Sequence, residues 1–151
     1  MNYDAIKNIL NNWLIKNNFS ARIRGFEEDF GWYHSDNTIV ISVLYTEKEE
    51  KRWLNFLEEF EPMYDVPVFV SAFLHELGHS ETYYDLNDEI IDEDEETKRL
   101  LEEEPNTFEC DIYDLYYHLP MEIVATKWAI NYMNTHFKQV KDLVYALKEV
   151  D

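Results

Sequence analysis

The chain has 151 residues, the length of one ordinary domain, and a chain of that size can bury roughly 68–70% of the surface it exposes when unfolded. Apolar residues make up 46% of it and aromatic residues 16%, which excludes a disordered chain in spite of the charge. The formal charge is −19, from 13 basic against 32 acidic residues, so DNA, RNA and anionic membrane surfaces are repelled and basic partners attracted.

Ile6, Ile9, Leu10, Trp13 and Leu14 recur at helical spacing and predict an amphipathic first helix that ends at Asn17-Asn18. Ala21 to Phe26 reads as a strand, with Gly25 and Gly31 bracketing an acidic turn. Thr38 to Val43 is the clearest strand signal, rich in β-branched residues, and the turn cluster Ser35-Asp36-Asn37 predicts a hairpin with Trp32-Tyr33. Glu47 to Phe60 then reads as a helix stopped by Pro62. Pro67 opens another, from about Val68 to Tyr84, that is apolar nearly all round and therefore expected at the centre of the molecule. Asp85 to Asp114 is strongly acidic and reads as a solvated, partly mobile insertion with short helical pieces at Ile90-Ile91 and Leu100-Leu101. Pro105-Asn106-Thr107 is a break, and Phe108 to His118 reads as helical. Pro120 opens a helix to about Phe137, and Gln139 to Val150 forms the last. The expected fold is a single α+β domain over 1–151, mostly helical, with a small antiparallel sheet before the central helix.

The lone cysteine, Cys110, cannot form an internal disulfide. Met1 to Ala5 lacks the basic start and apolar run of a secretory signal, and no apolar stretch approaches the ~20 residues needed to cross a bilayer. The expected compartment is the cytoplasm.

The central helix carries His75-Glu76-Leu77-Gly78-His79, an H-E-x-x-H sequence. Residues i and i+4 share a helical face, so both imidazoles can address one metal ion. Glu76 is turned about 60° from His79, at about 100° per residue, and can reach a water at the ion without binding the ion itself. Hydrolytic zinc sites have three protein ligands and an open position. The plain alternative is a histidine pair satisfied within the core by hydrogen bonds.

A third ligand must come from elsewhere. On the helix from Pro120, Lys127, Asn131, Asn134 and Lys138 form the solvent stripe, and Glu122 lies opposite, among Ala125, Ala129, Trp128 and Met133. An inward carboxylate needs a compensating charge, which a zinc ion supplies, and the two alanines allow close approach to the His75–His79 helix. Against this, a glutamate near a helix N-terminus is favoured there without any metal. Asp85 is a further option, ten residues after His75, but no glycine turn precedes it. His118, His136 and His34 read as surface or interhelical histidines.

His75-Glu76-x-x-His79 followed by Glu122-x-x-Ala125-x-x-Trp128-Ala129 resembles the gluzincin metallopeptidases, and among them the ImmA/IrrE-type family of bacteria and their mobile elements. Asn37-Thr38-Ile39-Val40-Ile41 fits the strand that precedes the zinc helix in that family. The resemblance implies Zn2+ held by His75, His79 and Glu122, Glu76 as general base, and cleavage of an intracellular protein, typically a DNA-binding repressor. Thr126 stands where the family often has Asp or Asn, and a hydroxyl can also orient a ligand histidine. The substrate is expected to lie along the strand Ile39 to Val43, and the oxyanion donor to come from Tyr83, Tyr117 or His118. The rival expectation is a non-catalytic acidic binding module that mimics DNA charge and carries a structural or vestigial metal site.

Overall fold

Helix starts are marked by side chains that satisfy free backbone N–H groups. In the computed structural model, which describes residues 2–42, 46–104 and 112–150, Asn2 caps helix α1 (Tyr3–Lys16) by accepting from Ala5 N. The chain leaves α1 through Asn18, whose positive φ of 65° is a left-handed conformation that asparagine tolerates better than most residues. Three strands follow: β1 (Arg22–Glu27), β2 (Gly31–Tyr33) and β3 (Thr38–Ser42). Thr46 caps α2 (Glu47–Glu58), which buries Trp53, Phe56 and Leu57. The long central helix α3 (Val68–Thr82) runs into a 3-10 turn at Tyr83–Asp85. Asn87 caps α4 (Asp88–Glu103), and α5 (Ile112–Tyr117), α6 (Pro120–Thr135) and α7 (Phe137–Lys148) complete the α+β fold. Val43, the break at Pro105-Asn106-Thr107, Phe108 and Cys110 lie outside the described residues. Among the described residues no helix is long and apolar enough to cross a membrane.

The β2–β3 hairpin is antiparallel as expected, but the sheet as a whole is mixed rather than antiparallel. Its order is β1-β3-β2, with β1 parallel to β3. The cause is hydrophobic content. Ile39, Val40 and Ile41 are buried on both faces of the strand, as a central strand is and a rim strand is not. This also overturns β3 as the strand that receives substrate. Its backbone is paired on both sides from Thr38 to Val40, and β2 is the edge strand next to it.

The acidic segment differs as well. Instead of short pieces on a loose insertion, residues 88–103 form one continuous helix of 16 residues that packs on α6. Its inward stripe is Ile91, Asp94, Lys98 and Leu101, spaced by three, four and three, with Asp94 and Leu101 buried. The carboxylate of Asp94 accepts from the backbone N–H of Met121 at 2.8 Å and so caps α6, whose own N-cap residue, Leu119, has no side chain to do it.

One hydrophobic cluster joins α1, the sheet, α2, α3, α6 and α7 through residues such as Leu10, Ile39, Phe56, Leu74, Met133 and Leu143. Helix α3 is buried from Val70 to Ser80 and crosses α6 closely. Gly78 sets that approach. A Cβ there would overlap the carbonyl oxygen of Ala125 and lie 3.1 Å from its carbonyl carbon. The hairpin is tied to the same helix by Asn37, which holds a positive φ of 54°. Its Oδ1 accepts from Trp32 Nε1 at 2.8 Å and from the Ser80 hydroxyl at 2.6 Å.

In an open helix, exchanging glycine for alanine stabilises by about 1 kcal/mol. Gly78→Ala is expected to do the opposite, lowering stability by about 1–3 kcal/mol as α6 is pushed off α3. Chemical denaturation measures this, and a variant as stable as the parent or more so would show that the two helices do not meet at this point.

Candidate metal centre

Each of the three ligand candidates is placed by a separate structural cause. His75 and His79 share one face of α3, four residues apart, with ring centroids 4.8 Å apart and planes at 84°. Glu122 lies in the first turn of α6, where Asp94 caps the helix and the Gly78–Ala125 contact brings it against α3. Its carboxylate is 3.3 Å from His75 Nε2 through Oε1 and 2.7 Å from His79 Nε2 through Oε2. All three residues are buried, Glu122 to 2% exposure. Their ligand atoms lie within 4.8 Å of one another, so the cluster could hold a metal ion.

The hydrogen bonds around the triad decide which ring nitrogens are free. Thr126 is fully buried, and its hydroxyl donates to the Glu122 carbonyl oxygen at 2.8 Å. That hydroxyl has one proton, so toward His75 Nδ1, 2.9 Å away, it can only accept. The N–H of a neutral His75 therefore sits on Nδ1, and the lone pair of Nε2 faces Glu122. Thr126 thus does for His75 what a carboxylate does elsewhere, fixing tautomer and ring plane together. Trp53 meets the His75 ring edge-on at 5.1 Å, and Trp32 stacks on His79 at 6.3 Å and 11°.

A lone pair facing a carboxylate in a buried site needs a cation or a proton between them. Two imidazole nitrogens and one carboxylate are the donor set that suits a borderline divalent ion. Four-coordinate zinc at 2.0–2.2 Å from its ligands places neighbouring donors about 3.3 Å apart; the His75–Glu122 separation equals that value and the His79–Glu122 separation, 2.7 Å, is shorter. The residues fit the group. Burial alone would raise the Glu122 pKa, yet the facing histidines, His79 foremost, hold it well below the usual carboxylate range. Glu76 shows the reverse. Burial pushes it up to about 7; the charge of His75 opposes this, that of Glu122 adds to it and that of Lys98 opposes it.

A cleft of about 310 Å3 opens beside the triad. Residues 30–34 of the β2 edge line one part of it, and Glu76, His79, Tyr83, Lys98 and Tyr116 line the rest. Of the other sequence candidates, Asp85 is exposed in the 3-10 turn and is not part of the triad. His118 pairs with Glu59 at 2.9 Å, and His136 stacks on Tyr132 at the end of α6. His34 is exposed and stacks on Tyr83 at the cleft rim. Tyr83 does line the cleft, whereas Tyr117 packs between Trp53 and Phe56.

Sequence reasoning missed Lys98 and Tyr116. Lys98 Nζ lies 3.2 Å from Glu122 Oε2. Tyr116 turns its hydroxyl inward, where burial, the charges of Glu122 and Glu76 and a hydrogen bond to Glu122 hold its pKa well above that of a free phenol. The signal for Lys98 was present in the spacing of Ile91, Asp94, Lys98 and Leu101, masked by the acidic residues between them.

The raised pKa of Glu76 has a measurable consequence in metal-free protein. Between pH 4.5 and about 7 the folded state keeps a proton on Glu76 that the unfolded chain releases, so this group's contribution to stability falls as pH rises through that window. Glu76→Gln removes the effect. Its stability relative to the parent should therefore climb by about 2–3 kcal/mol from pH 4.5 to pH 7 and then level off. Parallel pH–stability curves for the two proteins would contradict the burial of this carboxyl. Set against protein-family models, curated proteins and solved structures, the chain matches none, so the reading of this centre rests on its own residues.

Proposed function

We propose that the chain is a zinc-dependent peptidase of the gluzincin type, in the manner of the ImmA/IrrE family that its motifs resemble. The observation that carries this reading is the convergence of Glu122, 43 residues beyond His79, on both histidine Nε2 atoms. A bare histidine pair in a core would not need a buried carboxylate from another helix, nor a neighbouring glutamate turned to an open cleft.

His75, His79 and Glu122 would hold a divalent ion, which when bound would supply polarisation of the scissile carbonyl and acidification of a nearby water. The chain's own residues do the rest. Glu76, one residue from a ligand and facing the cleft, takes the proton of the attacking water on a carboxylate oxygen. The water oxygen bonds to the carbonyl carbon, the C–N bond breaks, and Glu76 passes the proton to the leaving amide nitrogen. Gly31, Trp32 and Tyr33 place the outer edge of β2 along the cleft, so an extended peptide can pair with the backbone of that strand. Trp32 and Thr126 hold the two imidazoles in place while this happens.

The substrate we infer is an intracellular protein, a basic DNA-binding regulator. What supports this is the charge of −19, which draws basic partners to the protein and repels nucleic acid. A second reading is favoured by one observation. Asp88, Glu89, Asp92, Glu93, Glu95 and Glu96 are exposed together on α4, a face that could occupy a basic partner by mimicking DNA charge. In that case the metal would be structural, and neither the open cleft nor Glu76 would have a use.

The two readings separate in one experiment. The purified, zinc-loaded protein is incubated with a proteome-derived peptide mixture and the new termini are read by mass spectrometry. Glu76→Gln should retain one zinc per chain and lose cleavage by at least about a hundredfold, whereas His79→Ala and Glu122→Ala should lose zinc and cleavage together. Undiminished cleavage by a zinc-loaded Glu76→Gln protein would exclude Glu76 as the base. Zinc uptake with no cleavage by the parent would favour the binding module.

A further inference from the structure

Helix α4 is acidic along most of its length, yet beside Glu95 it extends a cation into the cleft. Within residues 88–103 the basic residues are Lys98 and Arg99. Arg99 turns outward and is held by Glu96 and Glu103, each at 2.6 Å. Lys98 falls on the inward stripe with Ile91, Asp94 and Leu101, and its side chain is 28% exposed, at the cleft wall shared with Glu76 and His79. Its Nζ has two partners among the described residues, Glu122 Oε2 at 3.2 Å and the face of the Tyr116 ring at 5.1 Å from the centroid.

An ammonium has three N–H donors. One meets Glu122 and a second lies toward the Tyr116 ring, which leaves a donor for the cleft. Nucleophilic attack on a peptide places negative charge on the carbonyl oxygen, and a fixed cation in a water-poor site stabilises that charge more than a neutral donor can. The tyrosines compete poorly for this role. Both offer only a neutral donor: Tyr116 is 39% exposed on the cleft wall, and Tyr83 is stacked on His34 and packed against Trp32 at the rim. Glu122 also faces two imidazoles, so Lys98 is not its only counter-charge.

We propose that Lys98 is the oxyanion donor of this site, its Nζ bridging Glu122 and the carbonyl oxygen of the scissile peptide as charge develops there. The inference rests on the peptidase reading and assigns to α4, which the acidic composition marks as surface, a direct part in the chemistry. Asp94 and Lys98, one turn apart, then have a joint effect. The first places Glu122 by capping α6, and the second reaches past Glu122 into the cleft.

The test uses cobalt(II)-substituted full-length protein and methylphosphonate, a small oxyanion, with binding followed in the visible d–d spectrum. Lys98→Met should take up cobalt at least as tightly as the parent, since a neighbouring positive charge has been removed. It should bind methylphosphonate at least about tenfold more weakly, and Lys98→Arg should stay within about threefold of the parent. Unchanged methylphosphonate affinity in a cobalt-loaded Lys98→Met protein overturns the proposal. Should that variant take up no cobalt, Lys98→Gln, which keeps part of the stem, is judged by the same criterion. Loss of cobalt in both variants identifies Lys98 as a counter-charge for Glu122 and overturns the proposal as well. A parent protein that takes up no cobalt is a different result, and removes the metal centre itself.

Discussion

The structure depends on one buried carboxylate. Glu122 is 2% exposed, and taking an ionised carboxylate out of water costs several kcal/mol unless opposite charge and hydrogen bonds replace the solvent. The chain supplies those partners from two different helices. Two imidazoles come from α3, and an ammonium comes from α4. A site of this kind stabilises the fold weakly at best, because the desolvation cost offsets most of the attraction. Its retention in the centre of the molecule makes sense when a metal ion takes up the negative charge.

Much of the remaining architecture serves to keep that carboxylate in register with the histidines. Gly78 lets α3 and α6 approach at Ala125, one turn from Glu122, and Asp94 fixes the start of α6 two residues before Ile123. Thr126 reaches back along its own helix to the Glu122 carbonyl and across to His75. Asn37 ties the hairpin to Ser80, so the Trp32 ring is held flat against His79 and the β2 edge against the cleft. A displacement at any of these contacts moves a ligand atom, and ligand geometry tolerates only a few tenths of an ångström.

The parts legible in the sequence are those governed by short-range periodicity. The four-residue spacing of His75 and His79, the inward face of α6 with Glu122, Ala125 and Ala129, and the hairpin around Asn37 all follow from local rules. Strand partnering is non-local, and the hairpin pattern of β2 and β3 said nothing of a parallel β1 on the far side. The acidic run misled for a different reason. Charge density pointed to a solvated segment, while a stripe of four residues at heptad spacing, two of them charged, turned the same segment into a packed helix. Lys98 was hidden there because a cation in an acidic run reads as a surface counter-charge. Only its contact with Glu122 shows which way it faces.

The central claim is that two imidazoles and one carboxylate share a single zinc ion. Zinc K-edge X-ray absorption on the purified, zinc-loaded protein tests it most directly. The expected result is a shell of nitrogen and oxygen scatterers at about 2.0–2.1 Å, with outer-shell scattering from two histidines that disappears from the Glu122→Ala protein along with the metal. A sulfur scatterer at about 2.3 Å, or a shell with no imidazole signature, would contradict it.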